Sequence, residues 1–327
     1  MKKFVMIDSQ TLPDADFHQE KEILQANGIE CVLATCKTID EVVKAAHDAA
    51  CIGNNYFRVD EELLSRLSNL KIVIRYGIGY DVVDVDACTR RGILLCNLPK
   101  FCLPDVATHA IAMVLDLSRK VTLYDRQVRS GNWDVGYGYK SHRLETRTIG
   151  VIGFGNIARQ FCKYASVFCP NIIVYDPYVP AEVLEKAGVK KVELDVLYKE
   201  ADIISIHVPN TPDTYHMINA ASINKMKDGV MIVNTSRGPL VENDALVEGL
   251  MSGKITAAGL DVVDGEPIRD ANNPLFKCEN LIVSPHTSYN SVESSDDQHT
   301  QVAETAVTFF KDLVPVNTVN KKALGLN

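Results

Sequence analysis

The sequence predicts an α/β protein made of two doubly wound domains, each a parallel β-sheet with helices on both faces. Three observations support this fold class. Short apolar runs alternate with helical patterns along most of the chain, an order that is typical of parallel sheets. A longer helical pattern divides this alternation into two series. The chain also has 327 residues, more than a single hydrophobic core usually organises.

The first series contains five predicted strands and three predicted helices. The strands are short apolar runs, which read in order FVMID, CVLAT, ACIG, KIVIRYG and ILLCN. Helical patterns cover 20–26 and begin again at Asp40 and at Asp60. A longer pattern follows Pro104 and runs from 105 towards 129, and we expect it to connect the first series to the second.

The second series predicts another α/β domain. Its strands read TIGVIGFG, NIIVYD, ADIISIHVP, GVMIVNTS, ITAAGLDVV and NLIVSPH, with helical segments between most of them. A last helical pattern runs from about Ser291 to Leu313. The pattern alone leaves open which domain this helix joins.

Composition excludes several classes of partner. The formal net charge is -8 with no long Lys/Arg block, so we expect no binding to nucleic acid or to anionic membranes. The apolar run after Lys3 ends at Asp8, too early for a secretion signal, and no segment has the length of a membrane span. The nine cysteines include no CxxC pair and no metal-ligand spacing. We therefore expect a cytoplasmic protein with reduced thiols and no metal site.

A glycine-rich turn in the second series predicts a dinucleotide site. The strand TIGVIG runs directly into a turn that fits G-x-G-x-x-G/A. Such glycines let the backbone approach a pyrophosphate, and free N–H groups at the start of the helix attract it. The cofactor-binding candidates in the turn are Gly153, Gly155, Asn156 and Ile157. Glycine-rich turns also occur without a cofactor, so the motif alone leaves that alternative open.

The next strand supplies an acidic residue that favours NAD over NADP. Asp176 ends NIIVYD and lies 21 residues after Gly155, where it could accept hydrogen bonds from a ribose diol. No arginine occurs in 177–180 to neutralise the 2′-phosphate of NADP. The alternative is that Asp176 is an ordinary turn residue before Pro177.

Three polar residues follow the ends of later strands in the second series. These are Arg237 after MIVNTS, Glu266 after AAGLDVV and His286 after LIVSP. The carboxyl ends of parallel strands face the ligand crevice, so we expect the three to converge. A guanidinium can bind a carboxylate, an imidazolium can donate a proton, and a carboxylate can orient the imidazole. Each residue could instead be an ordinary loop residue, and their shared position is what favours catalysis.

The second half resembles a known enzyme family. The segments GFGNIA, HVPNTPDT, VNTSRGPLVENDAL, GLDVVDGEP and SPHTS, in this order, are similar to D-isomer-specific 2-hydroxyacid dehydrogenases. The resemblance implies that Arg237 binds the carboxylate and carbonyl of a 2-oxo acid. It also implies that His286 is the acid/base and that Glu266 supports it. The ligands would then be NAD and a small 2-hydroxy or 2-oxo acid.

The resemblance implies further ligand-binding residues. Asp261 would lie near the nicotinamide carboxamide, and His207 and Pro209 near the adenine side, although His207 could be structural. Thr235 is a further cofactor-binding candidate. The remaining candidates are for the substrate: the turn Tyr76, Gly77, Ile78 and Gly79, whose backbone would bind the carboxylate, and Tyr289, which would line the pocket. The alternatives are an ordinary turn and a surface tyrosine.

The resemblance also implies the domain order. A flavodoxin-like substrate-binding domain would span 1–102 and resume at 287–327, with a Rossmann NAD-binding domain inserted at 103–286. Two departures from the family pattern are tolerated: Ala158 replaces the third glycine, and Thr108 stands where many members carry Glu.

Assembly and branch within the family are less constrained by the sequence. The segments YDPY, NTSRG and PHTSYNS are most similar to the branch that contains the carboxy-terminal binding protein corepressors and their bacterial dehydrogenase relatives, and phosphoglycerate dehydrogenases are the other close comparison. An NAD(H)-sensing interaction protein is therefore the alternative function. The resemblance implies a homodimer, for which we expect an apolar helix face to be used, comprising Ile111, Met113, Val114 and Leu117. That helix could instead pack inside its own chain.

Overall fold

The computed structural model describes residues 2–12 and 16–326. The chain forms two compact units. Unit 1 comprises 1–102 and 291–327, and unit 2 is the continuous stretch 103–290. Unit 2 ends at 290, four residues beyond the boundary at 286 that the family resemblance implies.

Unit 1 is built on a five-stranded parallel sheet of order β2-β1-β3-β4-β5. The strands are β1 Lys3–Met6, β2 Glu30–Leu33, β3 Cys51–Asn54, β4 Ile72–Arg75 and β5 Leu94–Cys96. The helices between them are α1 His18–Ala26, α2 Ile39–Ala46, α3 Glu61–Arg66 and α4 Val85–Arg90. Side chains at their N-caps start three of these helices: Thr38, Asp60 and Asp84 each accept a backbone N–H of the first turn. The short helix α4 was not predicted.

The long helical pattern that opens unit 2 is two helices, so the prediction of one continuous helix is wrong. Helix α5 covers Leu103–Arg119 and α6 covers Val121–Arg129. Lys120 between them has a left-handed backbone, with φ of 60°. Its buried ammonium donates to the carbonyl oxygens of Tyr137 and Tyr139 at 2.8 and 2.7 Å. These distant acceptors hold the break in place.

Unit 2 contains a seven-stranded parallel sheet of order β12-β11-β10-β9-β6-β7-β8. The strands are β6 Thr148–Ile152, β7 Asn171–Tyr175, β8 Lys190–Lys191, β9 Ile203–Ile206, β10 Val230–Asn234, β11 Ile255–Leu260 and β12 Leu281–Val283. The remaining helices are α7 Asn156–Ala165, α8 Ala181–Lys186, α9 Leu194–Glu200, α10 Ala220–Lys225, α11 Asn243–Ser252 and α12 Val292–Phe310. Strand order reverses between β6 and β9, and such a switch point opens a ligand crevice at the carboxyl ends of the strands.

Apolar side chains cover both faces of each sheet. In unit 2, α5, α7 and α8 pack on one face and α9, α10 and α11 on the other. In unit 1, α2, α3 and α4 cover one face, and α12 packs against α1 and β4. The last helix therefore joins unit 1. Its N-cap is Ser291, whose hydroxyl accepts the N–H of Ser294.

The helix face proposed for the homodimer lies in the core of unit 2. Ile111, Met113, Val114 and Leu117 are between 1 and 7% exposed and pack with residues of α7 such as Phe161. The prediction that these side chains form an intermolecular interface is wrong, because their own chain covers them. The homodimer itself stays a prediction.

Within the described residues, no helix is both long enough and apolar enough to span a bilayer. The nine cysteines carry free thiols, and all but Cys31 are buried. Burial raises the pKa of Cys31 and of Cys88 to about 12. Such thiols stay protonated at neutral pH and are poor nucleophiles.

Candidate active site

The glycine turn lies at the switch point of the unit 2 sheet, directly after β6. Gly153 has φ of +90°, and a Cβ there would lie 2.6 Å from the His207 carbonyl oxygen. Only glycine fits this position. Gly155 is the N-cap of α7, with no side-chain cap and no atom within 4 Å of its Cβ position. The first N–H groups of α7 therefore face open space, which fits the phosphate of a dinucleotide.

Asp176 follows β7 and holds the glycine turn. One carboxylate oxygen accepts the N–H of Phe154 at 2.8 Å. The other accepts the N–H groups of Tyr178 and Val179 at 2.8 and 3.0 Å. A carboxylate has about four acceptor positions, so one remains for a ribose hydroxyl. Asp176 is thus a turn residue, and it can still accept a hydrogen bond from a ribose hydroxyl, as the sequence predicted.

Three buried polar atoms near the carboxyl ends of β9 and β10 have no hydrogen-bond partner among the described residues. They are Nδ1 of His207, Oδ1 of Asn210 and Oγ1 of Thr235. An unsatisfied buried polar atom is costly, so this set fits a ligand that brings its own donors and acceptors. Sequence reasoning identified His207, Pro209 and Thr235 but missed Asn210, the next residue in HVPN.

The His207 ring is neutral and packed within unit 2. Its Nε2 lies 2.9 Å from the Ser205 hydroxyl, and its ring centroid lies 4.9 Å from that of Phe161. Burial lowers the pKa of His207 to about 3. His207 therefore has a structural role as well as a free ring nitrogen.

His286 and Glu266 form a pair in the loops that follow β12 and β11. The His286 Nδ1 lies 2.5 Å from Oε1 of Glu266, whose other oxygen accepts the N–H of Val263 at 2.9 Å. An ionised carboxylate only accepts hydrogen bonds, so the pair assigns a proton to Nδ1 and leaves Nε2 for chemistry. Both side chains are about one third exposed. The imidazole is thus oriented and accessible.

Arg237 lies after β10, in a loop that packs against the Glu266 loop. A Cβ on Gly238 would lie 2.3 Å from the backbone of Val263, so these two loops touch. The Arg237 carbonyl oxygen accepts from the Asn234 side chain at 2.8 Å, and its guanidinium donates to the Ser236 carbonyl at 2.7 Å. The structure thus brings together the loops that carry all three predicted catalytic residues.

Asp261 supports the loop that carries His286. Its carboxylate is fully buried and accepts from the hydroxyl of Ser284 and the N–H groups of Thr287 and Ser288 at 2.6 to 2.9 Å. The backbone N–H of His286 also donates to the backbone carbonyl of Asp261 at 2.8 Å. This clamp stabilises the left-handed backbone of His286, which has φ of 53°. The role of Asp261 beside a nicotinamide stays a prediction.

Sequence reasoning missed a second histidine near this clamp. Nε2 of His109, on α5, lies 2.9 Å from the Ser284 hydroxyl and 3.7 Å from the Asp261 carboxylate. The two sequence positions are 175 residues apart, so only the fold reveals the contact. Tyr289, three residues beyond His286, is partly buried.

The predicted substrate turn in unit 1 follows β4. The Tyr76 side chain is 1% exposed, so only its backbone could meet a ligand. The Gly77 carbonyl accepts from the Leu98 N–H at 2.9 Å, and the Ile78 carbonyl accepts from the Asn97 side chain at 2.6 Å. In a trans peptide the next N–H points opposite to the carbonyl. The N–H groups of 78 and 79 therefore point away from β5, and no described residue accepts from them.

Known proteins are similar to this chain in sequence. The family model described as "D-isomer specific 2-hydroxyacid dehydrogenase, NAD binding domain" matches residues 111–288. D-3-phosphoglycerate dehydrogenase of Archaeoglobus fulgidus is 35% identical over 300 residues, which cover 91% of this chain and 56% of that protein. The chain thus spans little more than half the length of that relative. Hydroxypyruvate reductase of Blautia hydrogenotrophica is 34% identical over 331 residues, covering 98% of this chain and 100% of that protein.

A solved structure extends the likeness to both units. D-lactate dehydrogenase from Aquifex aeolicus, complexed with NAD and lactic acid, has a TM-score of 0.82 and 29% identity, covering 95% of this chain and 96% of that chain. This confirms the predicted fold class. The family model lies within unit 2, which also holds the glycine turn and His286. The chain belongs to the D-isomer specific 2-hydroxyacid dehydrogenase family.

Proposed function

We propose that this chain is an NAD-dependent oxidoreductase that interconverts a 2-oxo acid and a D-2-hydroxy acid. The observation that carries the proposal is the His286–Glu266 pair, with its 2.5 Å separation. It lies on the strand-end side of the sheet that also carries the glycine turn. An oriented imidazole beside a dinucleotide site is the arrangement that carbonyl reduction by a hydride needs.

Unit 2 supplies the groups that would hold NAD. The open N-terminus of α7 at Gly155 would bind the pyrophosphate, and Asp176 would accept from the ribose. The unpartnered atoms of His207, Asn210 and Thr235 would meet other polar groups of the cofactor. When bound as NADH, the cofactor would supply the hydride that reduces the carbonyl carbon.

His286 would move the proton. In reduction, its Nε2 gives a proton to the carbonyl oxygen while that carbon gains the hydride, so a hydroxyl forms. In oxidation, neutral His286 takes the hydroxyl proton back. Glu266 would act through the imidazole, since its carboxylate holds Nδ1 and keeps the ring in one orientation.

Arg237 in unit 2 would recognise the acid group. A guanidinium binds a carboxylate through two parallel N–H groups and can polarise the adjacent carbonyl. Within unit 1, the turn after β4 would be a substrate-binding element, because its Ile78 and Gly79 N–H groups are donors of the kind that binds anions. Tyr289 would contact the substrate side chain and favour an apolar or extended one over glyoxylate.

A panel of 2-oxo acids tests the proposal. Glyoxylate, hydroxypyruvate, pyruvate, phosphohydroxypyruvate and bulkier 2-oxo acids would each be mixed with the protein and NADH, and NADH absorbance followed. We expect turnover at an ordinary enzymatic rate with at least one of them. Tight NADH binding with negligible turnover of the whole panel would overturn the proposal and support the NAD(H)-sensing alternative. The homodimer and the cytoplasmic location stay predictions, and light scattering tests the first.

A further inference from the structure

Unit 2 contains a second pair of a histidine and a carboxylate, which the proposed chemistry does not use. Nε2 of His216 lies 2.9 Å from Oδ2 of Asp264, and the two residues are 48 positions apart in the sequence. Their side chains are 27 and 29% exposed. A pair that is this exposed adds little to stability. Its role therefore depends on what it holds in place. These two residues are called the His216 pair below.

Asp264 is a central residue of the turn that carries Glu266. The Glu266 N–H donates to the Val263 carbonyl at 3.1 Å, and one Glu266 carboxylate oxygen accepts the Val263 N–H at 2.9 Å. These two bonds close the turn on itself, and contacts outside the turn help to set how it is oriented. Two such contacts start from Asp264: its carboxylate binds His216, and its carbonyl accepts from the Asn243 side chain at 3.0 Å.

The backbone of His216 is held in an unusual conformation. It has φ of +48°, in the left-handed region that few residues other than glycine adopt. Its N–H donates to the Pro239 carbonyl and its carbonyl accepts from the Asn219 side chain, each at 2.8 Å. Its ring is stacked on that of Tyr215, with centroids 4.0 Å apart and planes at 18°. A strained backbone of this kind persists only where its surroundings fix it, so His216 is a firm anchor for Asp264.

His216 also contacts the loop that carries Arg237. Pro239, which accepts the His216 N–H, lies two residues beyond Arg237. A Cβ on Gly238 would overlap the backbone of Val263, so this loop lies directly against the turn that follows β11. The backbone of His216 thus holds one loop of the candidate active site and its ring holds the other.

The turn held by the His216 pair determines where the proton lies on His286. Oε1 of Glu266 lies 2.5 Å from Nδ1 of His286, which assigns the proton to Nδ1 and leaves Nε2 free. An imidazole free in water prefers the opposite tautomer, with the proton on Nε2. If the turn moved, the imidazole would lose the carboxylate that selects its tautomer.

We propose that His216 and Asp264 are positioning residues that keep the Glu266 carboxylate on Nδ1 of His286. The importance of this contact for catalysis rests on the proposed function. The pair orients the imidazole and does not itself move the proton. All the residues involved lie in unit 2.

Two substitutions of His216 in the full-length protein separate positioning from a purely structural role. His216→Gln keeps the bond to Asp264, because the amide nitrogen of glutamine can take the place of Nε2. His216→Asn loses the bond, because the shorter side chain replaces only Nδ1. Asparagine is nevertheless the better residue for a left-handed backbone. A structural role therefore predicts that His216→Asn is the milder change, whereas positioning predicts that His216→Gln is.

The tautomer of His286 is measured first, because this needs neither substrate nor cofactor. Nitrogen-proton correlation spectra, recorded at a pH where imidazoles are neutral, distinguish a proton on Nδ1 from one on Nε2. The spectrum of His286→Gln identifies the signal. We expect the Nδ1–H form in wild type and in His216→Gln. We expect a shift towards the Nε2–H form in His216→Asn and in Asp264→Ala.

Steady-state kinetics with NADH and the best 2-oxo acid of the wild type give the second measurement. We expect kcat to fall about tenfold in His216→Asn and Asp264→Ala, since a 1 Å misplacement can cost about 100-fold. His216→Gln should keep kcat within about twofold of wild type, and so should the matched control Asp213→Ala, at an exposed position three residues before His216. In a Glu266→Ala background, Asp264→Ala should cost less than about twofold, because the carboxylate that it positions is absent.

Three results would overturn the proposal. They are an unchanged His286 tautomer in both His216→Asn and Asp264→Ala, a kcat for His216→Gln as low as that of His216→Asn, and a full loss from Asp264→Ala in the Glu266→Ala background. If Asp264→Ala fails to fold, the two His216 variants decide. Failure of the proposed function is distinguishable, because the wild type would then turn over no 2-oxo acid while the tautomer still shows whether the pair positions Glu266.

Discussion

Replacing each of two glycines in the glycine turn by alanine should have different effects: Gly153→Ala should lower stability, and Gly155→Ala should weaken NADH binding. At Gly153 the left-handed φ of +90° costs alanine about 1–2 kcal/mol, and the added Cβ would lie 2.6 Å from a backbone oxygen. We expect Gly153→Ala to lower the free energy of unfolding by roughly 2–4 kcal/mol, which for a unit of this size lowers Tm by roughly 4–16 °C. Thermal unfolding followed by circular dichroism measures this.

Gly155→Ala is the matched variant. Gly155 has φ of -72° and its Cβ position is open, so alanine should leave Tm unchanged or slightly higher. The methyl group would instead occupy the space at the start of α7, and we expect NADH to bind about tenfold more weakly in a fluorescence titration. If Gly155→Ala binds NADH as wild type does, or loses as much stability as Gly153→Ala, the assignment of the pyrophosphate position is refuted.

Three further predictions concern single side chains. His286→Ala should lower the rate in both directions by roughly two to four orders of magnitude while NADH affinity is unchanged, and comparable turnover would contradict its role. Asp176→Ala should reduce the preference for NADH over NADPH. The preference is measured as the ratio of the two kcat/KM values, which a loss of stability does not change. A wild-type protein that uses both cofactors equally well would contradict this role of Asp176. His207 has a folded-state pKa of about 3, below its ordinary 6.5, so the unfolded chain binds the extra proton and stability falls as pH drops between these values. Between about pH 7 and about pH 5, the free energy of unfolding of His207→Gln should therefore fall by up to about 2 kcal/mol less than that of wild type. Denaturant unfolding at each pH measures this difference.

Hydrophobic periodicity predicted most strands and helices but not their interruptions. The break at Lys120 was missed because the helical pattern continues across it, and the acceptors that hold it are 17 and 19 residues away. The two-residue strand β8 is too short to show a period. The helix α4 was missed although α3, which has the same length of six residues, was predicted. The apolar face of α5 was assigned to a dimer because periodicity identifies an apolar face without identifying what covers it.

The sequence by itself determined the features that depend on neighbouring residues: the glycine turn between β6 and α7, the acid after β7, and the polar residues that follow three strands. Local backbone geometry and the strand-end rule are enough to place these. Only the tertiary structure decided which distant groups meet, such as Glu20 with His299, which are 279 residues apart, and His109 with Ser284. Burial and hydrogen bonding of this kind depend on how whole elements pack, and no short stretch of sequence carries that information.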